Sequence, residues 1–151
     1  MPRRHDGTEA ESLALDAYVK LMRASESLID RLSPEMQAAG LTWSQFGVLE
    51  ALLHLGPLCQ KEIGEKLLKS TGNITMVVDN LEREGLVRRE RRAEDRRYIT
   101  VSLTEAGSDR IRQIFPQHAK RVAEQFSVLT RAEQAELASL CRALGRQEPR
   151  N

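Results

Sequence analysis

One apolar stripe, bounded by strong helix signals at both ends, constrains the fold of this chain more than any other feature. Its residues have the i, i+3, i+4, i+7 spacing of a helix that is buried along one face. They are Ile74, Val77, Val78 and Leu81. The hydroxyl of Ser70 or Thr71 suits the start of such a helix, and Gly85 suits its end. The sequence therefore predicts a helix between these two signals.

The outward face of this predicted helix carries mostly small and polar side chains. They are Thr71, Gly72, Asn73, Thr75, Met76, Asn80 and Arg83. Hydroxyl and amide groups of this size can contact base edges or phosphates in a major groove, which is wide enough to admit a helix. A shorter helix is predicted from about residue 60 to 68, with Ile63 and Leu67 facing inward. Two helices joined by a short polar turn are the pattern of a helix-turn-helix.

A charged hairpin is predicted directly after the second helix. Leu86 and Val87 open its first strand, and apolar and polar residues alternate over residues 98–103 in its second strand. The residues between are mainly charged: Arg88, Arg89, Arg91, Arg92, Arg96 and Arg97, against Glu90, Glu94 and Asp95. Most charged hairpins are simply solvated. After a helix-turn-helix, however, this concentration of arginine indicates an anionic partner, because arginine can enter a narrow minor groove.

The segment LEREGLVRRERRAEDRRYITVSLTEAG, residues 81–107, resembles the winged-helix signature of the MarR family of bacterial transcription regulators. Its marks are Leu81-Glu82, Gly85-Leu86-Val87, Asp95-Arg96-Arg97, Leu103-Thr104 and Gly107. The likeness extends over roughly residues 12–145. It implies that Asp95 pairs with Arg97 to hold the wing, and that Arg97 is presented to the minor groove. Gly72 and Met76 depart from the family pattern, since many relatives carry a polar or basic residue at these positions.

The predicted fold class is mainly α with a small β-hairpin wing: a winged helix-turn-helix whose terminal helices form a dimerisation region. Residues 1–9 are predicted as a flexible tail, 10–40 and 105–147 as the helical dimerisation region, and 41–104 as the DNA-binding lobe. Ser33-Pro34 predicts a break or kink followed by a short helix to Gly40. The terminal helices could instead complete one monomeric core, but the resemblance implies a homodimer.

Capping signals and one proline divide the remaining helices. Thr42 with Gln45, and Thr130 with Glu133, have the spacing of capping boxes. Pro116 predicts a bend near Phe115 within the helix that follows the hairpin. The last helix is expected to end at Gly145.

Composition argues against catalysis and against a membrane protein. The 151 residues carry a formal net charge of +1, so the positive charge of residues 88–97 is local. Three scattered histidines and two cysteines give no catalytic or metal-binding spacing, and we expect neither an enzyme nor a cofactor or metal. No leader and no apolar run of about 20 residues is present, which predicts a soluble cytoplasmic protein with no membrane partner.

Two regulatory hypotheses follow. Cys59 precedes the helix that opens at Gln60, and helix N-termini can activate thiols, so Cys59 is a possible redox site; ordinary packing is the alternative. The family resemblance also implies a small aromatic or phenolic effector that binds between the helical region and the winged lobe. Candidate pocket residues are Met22, Met36, Trp43, Phe46 and His54, which could equally be ordinary core.

These observations predict a DNA-binding transcription regulator: a homodimeric repressor of a near-palindromic operator that a small aromatic ligand releases from double-stranded DNA. The predicted DNA contacts are Ser70, Thr71, Asn73, Thr75, Arg83, Arg96 and Arg97. Two alternatives remain at this point. One is an oxidation-sensing regulator that acts through Cys59, and the other is a winged-helix protein-interaction module that does not bind DNA.

Overall fold

A computed structural model describes residues 5–67 and 71–150 of the chain. The elements in chain order are α1 (Glu9–Ala38), α2 (Trp43–Leu55), β1 (Leu58–Cys59), α3 (Gln60–Leu67), α4 (Thr71–Arg83), β2 (Val87–Arg91), β3 (Ile99–Leu103), α5 (Glu105–Phe126) and α6 (Arg131–Arg146). This mainly helical architecture with a small antiparallel sheet confirms the predicted fold class. No helix within the described ranges is long and apolar enough to cross a membrane.

The prediction of a separate helix after Ser33-Pro34 is wrong, because α1 continues through Pro34 to Ala38. Proline removes one backbone donor and normally disfavours the middle of a helix. Leu32 and Met36 are both buried on either side of it, so packing keeps this segment helical. Helix α1 begins at Glu9, one residue before the predicted start at about residue 10, and Thr8 forms a capping box there.

Helix α2 is the central element of the lobe. Thr42 Oγ1 accepts a hydrogen bond from the backbone N–H of Gln45 at 3.1 Å, and Gln45 Oε1 accepts one from that of Thr42 at 3.0 Å. Because these bonds satisfy donors that a helix start leaves unpaired, the predicted capping box is confirmed. Buried residues lie along most of the helix: Gln45, Phe46, Val48, Leu49, Ala51 and Leu52.

The wing belongs to a three-stranded antiparallel sheet with the order β1-β3-β2. Val87 pairs with Leu103 in the predicted hairpin, and Leu58 of β1 pairs with Val101 on the other side of β3. Strand β1 was not predicted, because two residues are too few to show a strand period. Val101 is fully buried, so the central strand anchors the wing in the core of the lobe.

The chain divides into two compact units, one extending to Phe115 and the other beginning at Pro116. Helix α5 is continuous through Pro116 as far as Phe126. In the second unit, Thr130 and Glu133 form the predicted capping box of α6. The last helix ends one residue beyond the predicted Gly145, and Gln147 takes the left-handed conformation there, with φ 56°.

Candidate nucleic-acid interface

Helix α4 lies with its predicted apolar stripe in the core of the lobe. Ile74, Val78 and Leu81 are fully buried, and Val77 packs against the same cluster. The end of the helix is fixed by two bonds, from Leu86 N to Leu81 O at 2.9 Å and from Gly85 N to Glu82 O at 3.0 Å. Gly85 has φ +75°, the left-handed conformation that closes helices in this way. The prediction for this helix is therefore confirmed in its stripe and in its C-terminus.

The opposite face of α4 is open to solvent. Gly72, Asn73, Met76 and Arg83 are exposed on it. Thr75 is half-buried, and its hydroxyl accepts a hydrogen bond from Gln60 Nε2 at 3.3 Å. Ser70 lies outside the residues that the structure describes, as does the side chain of Thr71. That these residues contact DNA stays a prediction.

Arg89 connects the wing to the two helices of the helix-turn-helix. Its Nη2 lies 2.5 Å from Asp79 Oδ1 and 3.0 Å from Glu82 Oε1, and its Nη1 donates to Gln60 Oε1 at 3.3 Å. Its backbone N–H also donates to Glu82 Oε2 at 3.0 Å. The side chain is only 24% exposed. Arg89 is thus a positioning residue that ties β2 to α3 and α4.

The same ion pairs neutralise the two carboxylates beside the exposed face of α4. Hydrogen bonds from Arg89 lower the pKa of Glu82, and bonds to Glu82 and then Asp79 raise the pKa of Arg89. Because Arg89 pairs with Asp79 and Glu82, these two carboxylates repel an anionic partner less strongly than unpaired carboxylates would. The sequence pattern placed Arg89 among the arginines facing that partner. Side chains alternate between the two faces of a strand, so the position of Arg89, two residues after buried Val87, already indicates the inward face.

The tip of the wing is organised by Asp95. Its carboxylate accepts bonds from Arg97 Nε at 3.0 Å, from Arg97 Nη2 at 2.9 Å and from the Arg97 backbone N–H at 3.0 Å. These bonds lower the pKa of Asp95 and raise that of Arg97. The Arg97 side chain nevertheless stays 88% exposed. The pair that the family resemblance implied is present, and it holds Arg97 in place while leaving it accessible.

The other wing arginines differ in how firmly they are held. Arg92 Nε donates to Thr100 Oγ1 at 3.3 Å, and its guanidinium lies 5.9 Å from the centre of the Tyr98 ring. Arg96 is exposed, and its backbone carbonyl accepts a bond from Arg91 Nη1 at 3.2 Å. Arg96 and Arg97 therefore present guanidinium groups to solvent at the tip, as the predicted contacts require.

The wing is joined to α5 by a compact junction. Thr104 Oγ1 donates to Gly85 O at 2.6 Å and accepts from Gly107 N at 3.0 Å, which caps α5. Thr104 N donates to Leu86 O at 3.1 Å. The threonine thus connects the end of α4, the start of the wing and the start of α5.

Cys59 is buried at the start of α3. Its backbone N–H donates to Glu62 Oε1 at 3.1 Å, and its thiol hydrogen bond is the largest cause of the lowered pKa of Glu62. Reactive cysteines usually lie in exposed, electropositive surroundings. The contacts of Cys59 are those of a helix-capping residue, and its redox role remains untested.

The candidate effector residues fall into two groups. Met36 and Phe46 are buried, and half-buried Trp43 packs on the same cluster, whereas Met22 and His54 are exposed. The Trp43 indole donates to Ser33 Oγ at 3.2 Å and meets the Phe46 ring edge-on, with centroids 6.4 Å apart. No cluster of histidine, cysteine and carboxylate side chains in the described part of the chain could hold a metal ion.

Phe115 extends this aromatic group and was not among the predicted pocket residues. Its ring stacks on Phe46, with centroids 6.4 Å apart, and meets His54 edge-on at 4.6 Å. The sequence marked Phe115 only as the residue before Pro116. The structure thus links Phe46 and His54 through a ring that lies more than 60 residues beyond both of them in the chain.

Comparison with known proteins agrees with this geometry. The family model described as MarR family matches residues 39–97. The HTH-type transcriptional regulator MhqR of Bacillus subtilis is 38% identical over 120 residues, which cover 80% of this chain and 83% of MhqR.

Solved structures share the fold. The MarR family regulator Sco3205 of Streptomyces coelicolor, solved in complex with DNA, matches with a TM-score of 0.81 and 26% identity, covering 97% of this chain and 92% of that one. NadR in complex with 4-hydroxyphenylacetate matches with a TM-score of 0.76 and 23% identity, covering 95% and 97%. MhqR and Sco3205 are both transcription regulators. The chain therefore belongs to the MarR family and is a DNA-binding transcription regulator with a winged helix-turn-helix.

Proposed function

We propose that this regulator is a homodimeric repressor that binds a near-palindromic operator and leaves it when a small aromatic compound binds. The observation that carries the proposal is the pairing of an exposed face on α4 with an exposed arginine pair at the wing tip, in one lobe. In this arrangement α4 enters the major groove, and Arg97 lies against the adjacent minor groove. Sco3205, which has the same fold, was solved in complex with DNA.

The exposed apolar residues of α1 support a homodimer. Leu15, Met22 and Ile29 recur every seven residues, and Tyr18 lies three residues after the first of them. Apolar residues at this spacing form the seam through which two helices pack. All four side chains are exposed in the single chain. A second copy is the partner that would cover this seam, and two copies would present two α4 helices to the two halves of a palindrome.

Helix α6 also has an exposed apolar edge. Leu140 and Leu144 lie one turn apart, and Val128 is exposed just before the helix. Cys141 is exposed on the same helix. These side chains are too apolar for a solvated helix surface and suit a helical interface between subunits.

The aromatic group around Phe115 supports an aromatic effector. Rings of Trp43, Phe46 and Phe115 offer stacking faces, and His54 supplies a polar group at their margin. Apolar walls with few polar groups are typical of sites for small ligands. NadR was solved with 4-hydroxyphenylacetate, which is a compound of this kind. An aromatic effector bound at this site would weaken DNA binding, because it would favour a dimer whose two α4 helices are wrongly spaced for the operator.

Selection of bound fragments from random duplex DNA, followed by binding titrations at several salt concentrations, tests the DNA-binding part. We expect two related half-sites about 34–36 Å apart, or a multiple of that distance, and a steep loss of affinity with salt. A purified protein that ignores every duplex at low salt would instead support the protein-interaction alternative.

Light scattering tests the dimer. We expect twice the 17.1 kDa mass of one chain for the wild type, and dissociation for Leu15→Glu. Arg23→Ala, an exposed polar position on the same helix, serves as the matched control and should remain dimeric. A wild-type mass of one chain would reject the homodimer.

Intrinsic fluorescence tests the effector, because Trp43 is the single tryptophan of the chain. We expect 4-hydroxyphenylacetate to change the Trp43 emission and to weaken DNA binding, and the non-aromatic analogue cyclohexylacetate to do neither. Phe115→Leu should reduce both effects. Equal responses to the two acids would remove the aromatic preference.

A further inference from the structure

Met76 is an exposed apolar side chain in the middle of α4. It is 65% exposed although methionine is usually buried. It lies two residues from both Ile74 and Val78, about 200° around the helix from the buried stripe. Met76 therefore points directly away from the core of the lobe, at the centre of the face that the proposed function assigns to the major groove.

The surroundings of Met76 leave it free to meet a partner. One turn earlier, Gly72 has no side chain, and a Cβ added there would meet no atom within 4 Å. The helix backbone is therefore exposed at Gly72. One turn later, Asp79 is held by Arg89 at 2.5 Å. The backbone of α4 can thus approach a flat surface closely at Gly72, and Met76 would be the longest side chain at the point of contact.

The major groove displays one apolar group, the C5 methyl of thymine. Apart from the small C5–H of cytosine, the other base-edge groups there are hydrogen-bond donors or acceptors, which a thioether satisfies poorly. An apolar side chain laid over them would leave them without partners, which is unfavourable. Methionine is flexible and polarizable, and adapts well to an apolar contact. The apolar side chain of Met76 and its outward position on α4 therefore both favour contact with the methyl edge of thymine.

We propose that Met76 contacts the C5 methyl group of one thymine in each operator half-site and determines specificity at that base pair. This inference rests on the proposed function, since it requires α4 to lie in the major groove. The inference goes beyond the proposed function by assigning one base contact to one residue of α4.

Replacement of single thymines by deoxyuridine tests the contact, because this change removes only the methyl group. The probe is the duplex recovered by fragment selection, with each symmetric pair of thymines replaced in turn. For the wild type we expect one pair whose replacement lowers affinity by about 4- to 15-fold, the range from one lost buried methyl contact to one lost in each half-site. In Met76→Ala the same replacement should change affinity less than about 2-fold.

Two further variants complete the design. Met76→Leu keeps an apolar side chain and should retain the deoxyuridine effect. Arg83→Ala, exposed on the same face, should weaken binding without removing that effect. Melting temperatures of all variants should match that of the wild type, because both positions are exposed.

The outcomes separate this inference from the proposed function. A wild type that binds its operator with no thymine pair sensitive to deoxyuridine overturns the Met76 contact and leaves DNA binding intact. A deoxyuridine effect of equal size in the wild type and in Met76→Ala does the same. Failure of the wild type to bind any duplex overturns the proposed function, and the inference with it.

Discussion

The carbonyl oxygen of Leu86 lies so close to Gly107 that a Cβ at Gly107 would fall well inside van der Waals contact with it. This carbonyl also accepts the backbone N–H of Thr104 at 3.1 Å, so it is fixed where it lies. The first turn of α5 can therefore pack against the start of the wing only because residue 107 has no side chain. This is a physical reason for glycine in the Leu-Thr-Glu-Ala-Gly segment.

Gly107→Ala should lower the free energy of unfolding by about 3 kcal/mol, because the added methyl group must displace backbone and not a flexible side chain. Gly145→Ala is the matched control. It lies within α6, nothing would approach its Cβ within 4 Å, and it should raise stability by up to about 1 kcal/mol through helix propensity. Urea denaturation of both variants measures the difference. Equal stabilities would show that the junction relaxes freely.

Arg89→Ala should destabilise the lobe by about 1–2 kcal/mol, between the values for exposed and buried ion pairs. It should also weaken DNA binding, because Asp79 and Glu82 then carry uncompensated charge beside the proposed interface. Arg88→Ala, in which an exposed pair with Glu90 is lost, should change stability by less than about 0.5 kcal/mol. Denaturation and operator titration should be measured together. Unchanged binding in Arg89→Ala would argue against its positioning role.

Arg97→Ala should weaken operator binding by about 1–3 kcal/mol and reduce the salt slope by about 1, the effect of losing one phosphate or groove contact. Its side chain is 88% exposed, so the loss of its ion pair with Asp95 should lower the melting temperature only slightly. Arg150→Ala, which removes an ion-paired arginine in the second unit, is the control and should bind normally. A folded Arg97→Ala protein with wild-type affinity would contradict the wing assignment.

The interaction between Asp95 and Arg97 that holds the wing tip should depend on pH. Because bonds from Arg97 lower the pKa of Asp95, the folded wing favours the carboxylate form. The stabilisation is fully present above the ordinary aspartate pKa of about 3.9 and is lost as the pH falls through the lower value of the folded protein. A carbon-detected NMR titration of Asp95 should therefore show a depressed pKa in the wild type and a higher one in Arg97→Ala. Identical titrations would show that the guanidinium does not hold the carboxylate.

Cys59 should react slowly with iodoacetamide in the native protein and quickly in urea, because it is buried. Cys141→Ser leaves Cys59 as the single thiol and allows its rate to be read by mass spectrometry. Fast native labelling would revive the redox hypothesis. In that case Cys59→Ser should abolish a response of DNA binding to peroxide.

Local chemistry accounts for the features that the sequence predicted correctly. The stripe of α4, its closure at Gly85 and the capping boxes at Thr42 and Thr130 all depend on residues a few positions apart. The same holds for the wing hairpin, whose strands are joined by a short charged segment. Such features need no knowledge of the rest of the fold.

The features that were missed depend on distant partners. Pro34 stays helical because Leu32 and Met36, on either side of it, are buried, which local propensity cannot reveal. Strand β1 exists because Leu58 meets Val101, over 40 positions away. Arg89 finds acidic partners on α4, and its inward direction is set by its register with Val101. Tertiary packing decided each of these, and only the inward direction of Arg89 was also indicated by the two-residue period of the strand.

The strand order of the small sheet limits how molecules of this protein can associate. Its two outer strands are β1, which has only two residues, and β2, in which every residue after Val87 is an arginine or a glutamate. Short or charged edges resist the addition of another strand, because an incoming chain finds few free backbone groups or meets solvated charge. The arginines suited to nucleic acid therefore also protect the wing from edge-to-edge aggregation, which agrees with the proposed association of two copies through their helices.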